Sequence, residues 1–225
     1  MIKSYEPKSL SDFSFSNPQT EKTLKLLLSK QIPYPANGKN GILLYGAYGT
    51  GKTTLAKLLP ILLDRAYGDK QPFGGSEWLY DFISCEQGTR SDLLMAKINQ
   101  MIDMHFPSNL NARIVILDEV DNLSESAQRS LKGVMNREYF GVIMTTNYIS
   151  KIDSGLKDRS HLLNMDAPPP ASVLPLLRQI AIDTGWSNAL DSDLMAVARE
   201  CKGSYRGYVS AIVTEAGNRK SLAAA

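Results

Sequence analysis

Only two cysteines, Cys85 and Cys201, occur in the 225 residues. They are too few for a disulfide framework or for a zinc site of the usual four-ligand kind. Histidine is as scarce, with His105 and His161 alone, so a transition-metal centre is not expected. No stretch approaches the roughly eighteen consecutive apolar residues of a membrane-spanning helix. The opening MIKSYEPKSL lacks the charged-then-apolar pattern of a secretory signal. Charge of one sign is missing too: a net +2 is too small to announce nucleic acid, although it permits a local basic patch. A reduced, cytoplasmic, soluble protein is the expectation. Hydrophobic residues, at 43%, suffice for a working core in one large domain or two modest ones.

What is present is an alternation. GILLYG (41–46), WLYDFIS (78–84), RIVILD (113–118), GVIMTTN (141–147) and HLLNM (161–165) read as strands. Several are apolar at consecutive positions, as strands covered on both faces are. Helical patterns lie between them over about 52–65, 91–104 and 124–136, the last with Ser124 as N-cap. The pattern predicts an α/β fold with a five-stranded parallel sheet and helices on both faces. Pro60 falls inside the first helical pattern and is expected to kink it. Gly133 weakens the third by about 1 kcal/mol relative to alanine. DAPPPAS (166–172) interrupts the alternation and reads as a linker, and the remaining segments show helical periodicity compatible with a three-helix unit. The predicted division is 1–166 and 167–225.

GAYGTGKTT fits G-x-x-x-x-G-K-S/T, with Gly46, Gly51, Lys52 and Thr53 at the required places. A glycine-rich turn lets successive backbone N–H groups curl around a phosphate, which a Cβ at the tightest points would obstruct. The helix that follows aims free N–H groups and its positive dipole end at the same anion. Gly46, Ala47, Tyr48, Gly49, Thr50, Gly51, Lys52, Thr53 and Thr54 are therefore the candidate nucleotide-binding residues. Lys52 is expected to reach the β- and γ-phosphates, and the Thr53 hydroxyl to ligate Mg²⁺.

RIVILDEVDNLS ends an apolar strand in adjacent carboxylates. After a phosphate loop, Asp118 at this place can hold Mg²⁺. Glu119, one residue on, can polarise an attacking water as general base. Asp121 reads as structural or as surface. IMTTNY brings Asn147 to the end of another apolar strand, where a neutral amide can orient that water without competing for the metal. An acid that activates water favours hydrolysis over phosphoryl transfer to a second substrate, and no acceptor site for a kinase is visible.

The order of these motifs, with the proline break and the helical tail, resembles the AAA+ ATPases. Within them the chain is similar to the small, ATP-hydrolysing subunits of sliding-clamp loaders. SYEPKSLSDF resembles the opening that lies close to the adenine in that family, with Glu6 where an arginine is usual. ILDEVDNLSESAQRSLKGVM resembles the acidic motif running into the family's central helix, with Lys132 and Gly133 where two basic residues are common. GSYRGYVSAI resembles a segment of the lid domain and implies that Arg206 is a second sensor arginine touching the nucleotide's phosphates. LKDRSH falls where these proteins carry a serine–arginine–cysteine box. The resemblance implies that Arg159 is an arginine finger acting in a neighbouring subunit, a device worth about 10³–10⁵ in turnover in other P-loop enzymes. Asp158 and Ser160 depart from the flanking residues of that box. Arg90 and Lys97 fall in a region where the relatives track DNA phosphates.

The resemblance thus implies an AAA+ P-loop NTPase with a small three-helix lid domain. ATP and Mg²⁺ are the implied cofactors. The implied partners are other AAA+ subunits, a sliding clamp and primer–template DNA. Clamp-loader subunits continue after the lid into a helical collar, and this sequence stops at Ala225, soon after the lid. Two other readings stay open: an AAA+ loader serving a helicase or transposase, and an ATP-dependent assembly scaffold with little turnover.

Overall fold

The computed structural model describes residues 5–36, 38–68, 76–88, 90–104 and 108–223. His105 and Ser4, singled out in the sequence, lie outside the described residues. Contacts divide the chain into two compact units. The larger comprises Pro18–Gly46 and Lys52–Asn164; the smaller comprises Met1–Asn17, Ala47–Gly51 and Met165–Ala225.

In the larger unit the order is α1 (Pro18–Leu28), β1 (Gly41–Tyr45), α2 (Lys52–Tyr67), β2 (Tyr80–Ser84), α3 (Ser91–Asp103), β3 (Arg113–Asp118), α4 (Glu125–Val134), β4 (Phe140–Thr146), α5 (Ser154–Asp158) and β5 (Ser160–Asn164). The five strands form one sheet in the order β2-β3-β4-β1-β5, and every neighbouring pair is parallel. Parallel strands need a crossover between them, and the helices supply it. β1, β3 and β4 occupy the middle of the sheet and are buried along nearly their whole length, which explains their unbroken apolar runs. On one face Leu43, Val115, Leu117, Val142 and Met144 pack with Leu94 and Ile98 of α3 and with Ala127 and Leu131 of α4. Each of the larger side chains among these, taken from water, contributes about 1.5–3 kcal/mol.

The local signals largely hold. Ser124 caps α4, accepting the Ala127 N–H at 3.3 Å. α2 runs on through the buried Pro60, so the proline does not end it. Two helices carried no clear sequence signal: α1, and the single turn of α5. The latter is nucleated by Asp153, whose carboxylate accepts the N–H groups of Gly155 at 2.7 Å and Leu156 at 3.3 Å.

In the smaller unit α6 (Pro170–Thr184), α7 (Asp191–Glu200) and α8 (Tyr205–Ala223) form a three-helix bundle. Its core holds Val173, Leu177, Ile180, Trp186, Leu194, Tyr208 and Ile212. Only two of the three consecutive prolines belong to the linker. Pro170 opens α6, at the helix start where a missing N–H costs nothing.

Candidate functional site

The carboxyl ends of β1, β3 and β4 meet at one edge of the sheet, where open α/β sheets bind ligands. Lys52 and Thr53 begin α2 directly after the phosphate loop, and Asp118, Glu119 and Asn147 stand at or just past the ends of β3 and β4. Hydrogen bonds link Thr53, Asp118 and Glu119 through Thr145, and a separate pair ties the start of the segment carrying Asn147 to Asp121. The Thr53 hydroxyl donates to Asp118 Oδ1 at 2.9 Å. Thr145 donates its own hydroxyl to the same oxygen at 2.6 Å and accepts the Glu119 N–H at 3.0 Å. Lys52 is 7% exposed, and its ammonium donates to the Gly46 carbonyl at 2.9 Å.

Glu119 holds a left-handed backbone, φ 59° and ψ 49°, which a residue with a Cβ adopts reluctantly. The Thr145 bond helps to hold it there. Its side chain is exposed, and Glu119 Oε2 lies 3.4 Å from the amide nitrogen of Asn122, which also donates to the Cys85 carbonyl at 3.0 Å. Asn147 is half-buried. Asp121 sets its backbone: the carboxylate accepts the Thr146 hydroxyl at 2.7 Å and the Asn147 N–H at 3.4 Å. Of the two readings the sequence left for Asp121, structural or surface, these bonds favour the structural one, in support of a candidate catalytic residue. Thr145 and Thr146 carried no sequence signal beyond strand propensity. Their acidic partners Asp118, Glu119 and Asp121 lie 25 to 27 residues away in the sequence.

The tip of the phosphate loop, Ala47–Gly51, belongs to the smaller unit. Gly49 and Gly51 have φ of 76° and 90°, which only glycine adopts freely. A Cβ on Gly49 would lie 2.5 Å from the Ser204 hydroxyl. The Tyr205 N–H donates to the Gly49 carbonyl at 3.0 Å, and the Asp166 carboxylate accepts the Ala47 N–H at 3.2 Å. Arg206, exposed in the first turn of α8, therefore follows directly on a residue bonded to the loop. Thr50 is buried with its hydroxyl on the Ala47 carbonyl at 2.9 Å; Tyr48 is 62% exposed, and Thr54 is half-buried on α2.

Arg159 lies elsewhere. It precedes Ser160, the first residue of β5, which pairs with Gly41, the first residue of β1. The phosphate loop follows the last residue of β1. At about 3.3 Å per residue the strand separates the two by roughly 16 Å.

Residues 42–164, more than half of the sequence, match the family described as ATPase family associated with various cellular activities (AAA). The chain belongs to the AAA family of ATPases. Among curated relatives, this AAA protein is 27% identical over 203 residues to the replication factor C small subunit of Thermoplasma volcanium, covering 88% of this chain and 58% of that one. It is 29% identical over 161 residues to the replication factor C small subunit of Saccharolobus solfataricus, covering 70% and 44%. The chain thus spans about half the length of the curated relatives it matches. Among solved structures, the Thermotoga maritima RuvB Holliday junction branch migration motor superposes with a TM-score of 0.63 at 19% identity, covering 92% of this chain and 64% of that one. Caenorhabditis elegans PCH-2 superposes at 0.60 and 17%, covering 87% and 61%. These likenesses confirm the AAA+ fold. Among the described residues no helix is long and apolar enough to cross a membrane.

The residues fit a magnesium nucleotide. Thr53 and Asp118 offer the hard oxygen donors that Mg²⁺ takes. The two already share a hydrogen bond that the ion would replace.

Proposed function

We propose that this AAA protein binds ATP with Mg²⁺ and hydrolyses it as a motor subunit of a sliding-clamp loader acting at primed DNA. The observation that carries the hydrolytic reading is the placement of Thr53, Asp118, Glu119 and Asn147 at one sheet edge, the first three linked through Thr145 and Asn147 held by Asp121. Curated relatives named as replication factor C small subunits support the loader reading.

In this reading the loop N–H groups and Lys52 hold the β- and γ-phosphates. Thr53 and Asp118 would hold Mg²⁺, which would supply positive charge against the phosphate oxygens. Asn147 orients a water molecule, and the Glu119 carboxylate takes its proton as the oxygen adds to the γ-phosphorus, leaving ADP and phosphate. Arg206 binds phosphate from the lid. Arg159, at the far edge of the sheet from its own phosphate loop, serves the site of a neighbouring subunit, which makes turnover conditional on assembly. Arg90 and Lys97 contact the DNA backbone. Arg90 now pairs with Asp92 at 2.5 Å and both side chains are largely exposed, so a phosphate can compete for it. Lys97 is exposed on α3.

The test is the hydrolysis rate at several protein concentrations, with and without primer–template DNA, for the wild type and Glu119→Gln. The wild-type rate per subunit should rise with concentration and with primed DNA. Glu119→Gln should bind ATP yet turn over about 10²–10⁴-fold more slowly. An unchanged rate in that variant overturns the general-base role. A rate indifferent to DNA overturns the loader reading and leaves the ATPase standing.

A further inference from the structure

Arg159 is a half-buried side chain with fixed partners. Its Nε donates to Asn136 Oδ1 at 3.1 Å, and its Nη1 donates to the Gly155 carbonyl at 3.1 Å. Asn136 is itself exposed, two residues past the end of α4, but the chain on either side of it is pinned. The buried amide of Asn40 donates to the Met135 carbonyl at 2.8 Å and to the Arg137 carbonyl at 3.0 Å. Asn40 leads directly into β1, where the Gly41 N–H donates to the Arg159 carbonyl at 2.9 Å. The contacts close a circuit. Asn40 holds the backbone around Asn136, Asn136 holds the Arg159 guanidinium, and the residue after Asn40 holds the Arg159 backbone.

We propose that Asn136, backed by Asn40, is a positioning residue for the arginine finger; this rests on the reading of Arg159 given above. A guanidinium is a rigid planar fork of donors. Occupying Nε and one hydrogen of Nη1 from within the chain sets the plane of the fork and leaves its remaining donors for the γ-phosphate of the neighbouring site. Ordering a long arginine costs side-chain entropy. Asn136 moves that cost from the docking of each subunit to the folding of the chain. The aim of the finger is therefore built into the junction of α4, α5 and the start of β1.

The experiment compares Asn136→Leu, similar in size but without an acceptor, with Asn136→Asp, which keeps one. Each is assayed alone and mixed with Lys52→Ala, whose own site is dead but whose Asn136 and Arg159 are intact. Arg159→Ala is treated in parallel, and light scattering confirms co-assembly at the concentrations used. Asn136→Leu should keep its ATP affinity and melting temperature while kcat falls roughly tenfold, the size expected for one hydrogen bond to a charged group. Asn136→Asp should stay near the wild type. Mixing with Lys52→Ala should raise the rate per Asn136→Leu subunit, because intact fingers then face its intact sites. If Arg159→Ala is rescued by mixing but Asn136→Leu is not, or if Asn136→Leu shows no loss, the positioning role is overturned and the finger stands. If neither is rescued in a shared assembly, the finger reading falls and takes this proposal with it.

Discussion

The Thr145 hydroxyl donates to the Asp118 carboxylate at 2.6 Å and, from the same oxygen, accepts the Glu119 N–H at 3.0 Å. One side chain, itself 2% exposed, thereby sets the direction of the candidate metal ligand and the strained backbone of the candidate base. Replacing it by the near-isosteric valine removes both bonds with little change of volume. An unsatisfied N–H of this kind costs about 1–3 kcal/mol. Thr145→Val should therefore melt at a lower temperature, need more Mg²⁺ for half-maximal rate, and have a reduced kcat. Thr145→Ser keeps the hydroxyl and should recover most of the loss. Equal Mg²⁺ requirements in the valine variant and the wild type would contradict this linkage.

Asp121 holds the Thr146 hydroxyl and the Asn147 N–H. Thr146 is fully buried, so its hydroxyl cannot turn to water instead. Asp121→Ala should destabilise the protein by about 1–3 kcal/mol in denaturant melts. It should also slow hydrolysis without weakening ATP binding, because Asn147 loses its backbone anchor. Asp121→Asn retains an acceptor oxygen and should lose less on both counts.

Asp153 ties α5 to α4 through the two N–H groups it caps and through Lys132 at 3.1 Å. Burial, the largest single influence, pushes its pKa up. The Lys132 and backbone hydrogen bonds together prevail, and the carboxyl sits below its ordinary value. Such a group contributes stability in full above its unfolded pKa of about 3.9, and that contribution is lost as pH falls through the folded value. The wild type should lose more stability than Asp153→Asn between about pH 5 and pH 3, since asparagine still caps the helix but does not titrate. Identical acid slopes for the two proteins would exclude this role.

Burial, reinforced by the charges of Asp118, Asp121 and Glu119, pushes the Cys85 thiol up to about 12. Cys85 is 1% exposed, whereas Cys201 is only partly buried. Ellman's reagent at pH 8 should titrate one thiol in the native protein and two in guanidinium. A Cys201→Ser variant should then be unreactive until unfolded. Fast labelling of that variant would mean that the end of β2 opens readily.

Much of the fold was legible because its signals are local. RIVILD is a strand over the same six residues that the apolar run marks, 113–118. Ser124 is the cap its position suggested. α1 was not legible: PQTEKTLKLLL crowds its apolar residues into its second half, so no stripe stands out, and only Thr20, Leu24 and Leu27 are buried. α5 is a single turn, too short for any periodicity, and depends on Asp153 and its long-range tie to Lys132. At the candidate site the motif residues could be named but Thr145 could not, and neither could Asn136 beside Arg159 at the other edge. A strand threonine and a post-helix asparagine are ordinary residues until a partner across the fold gives them work.

By itself the sequence marked the candidate phosphate loop, the acids at the end of β3 and the asparagine just past β4, because each depends on residue types at close spacing around one strand end. Only the tertiary structure decided that β1 lies between β4 and β5. Strand order is set by crossovers that bury the sheet's faces, and no local spacing encodes it. That order brings the ends of β1, β3 and β4 to one edge and leaves Arg159 at the opposite one. The start of β5 and the end of β1 are thus a strand's length apart, a separation that no local spacing in the sequence encodes.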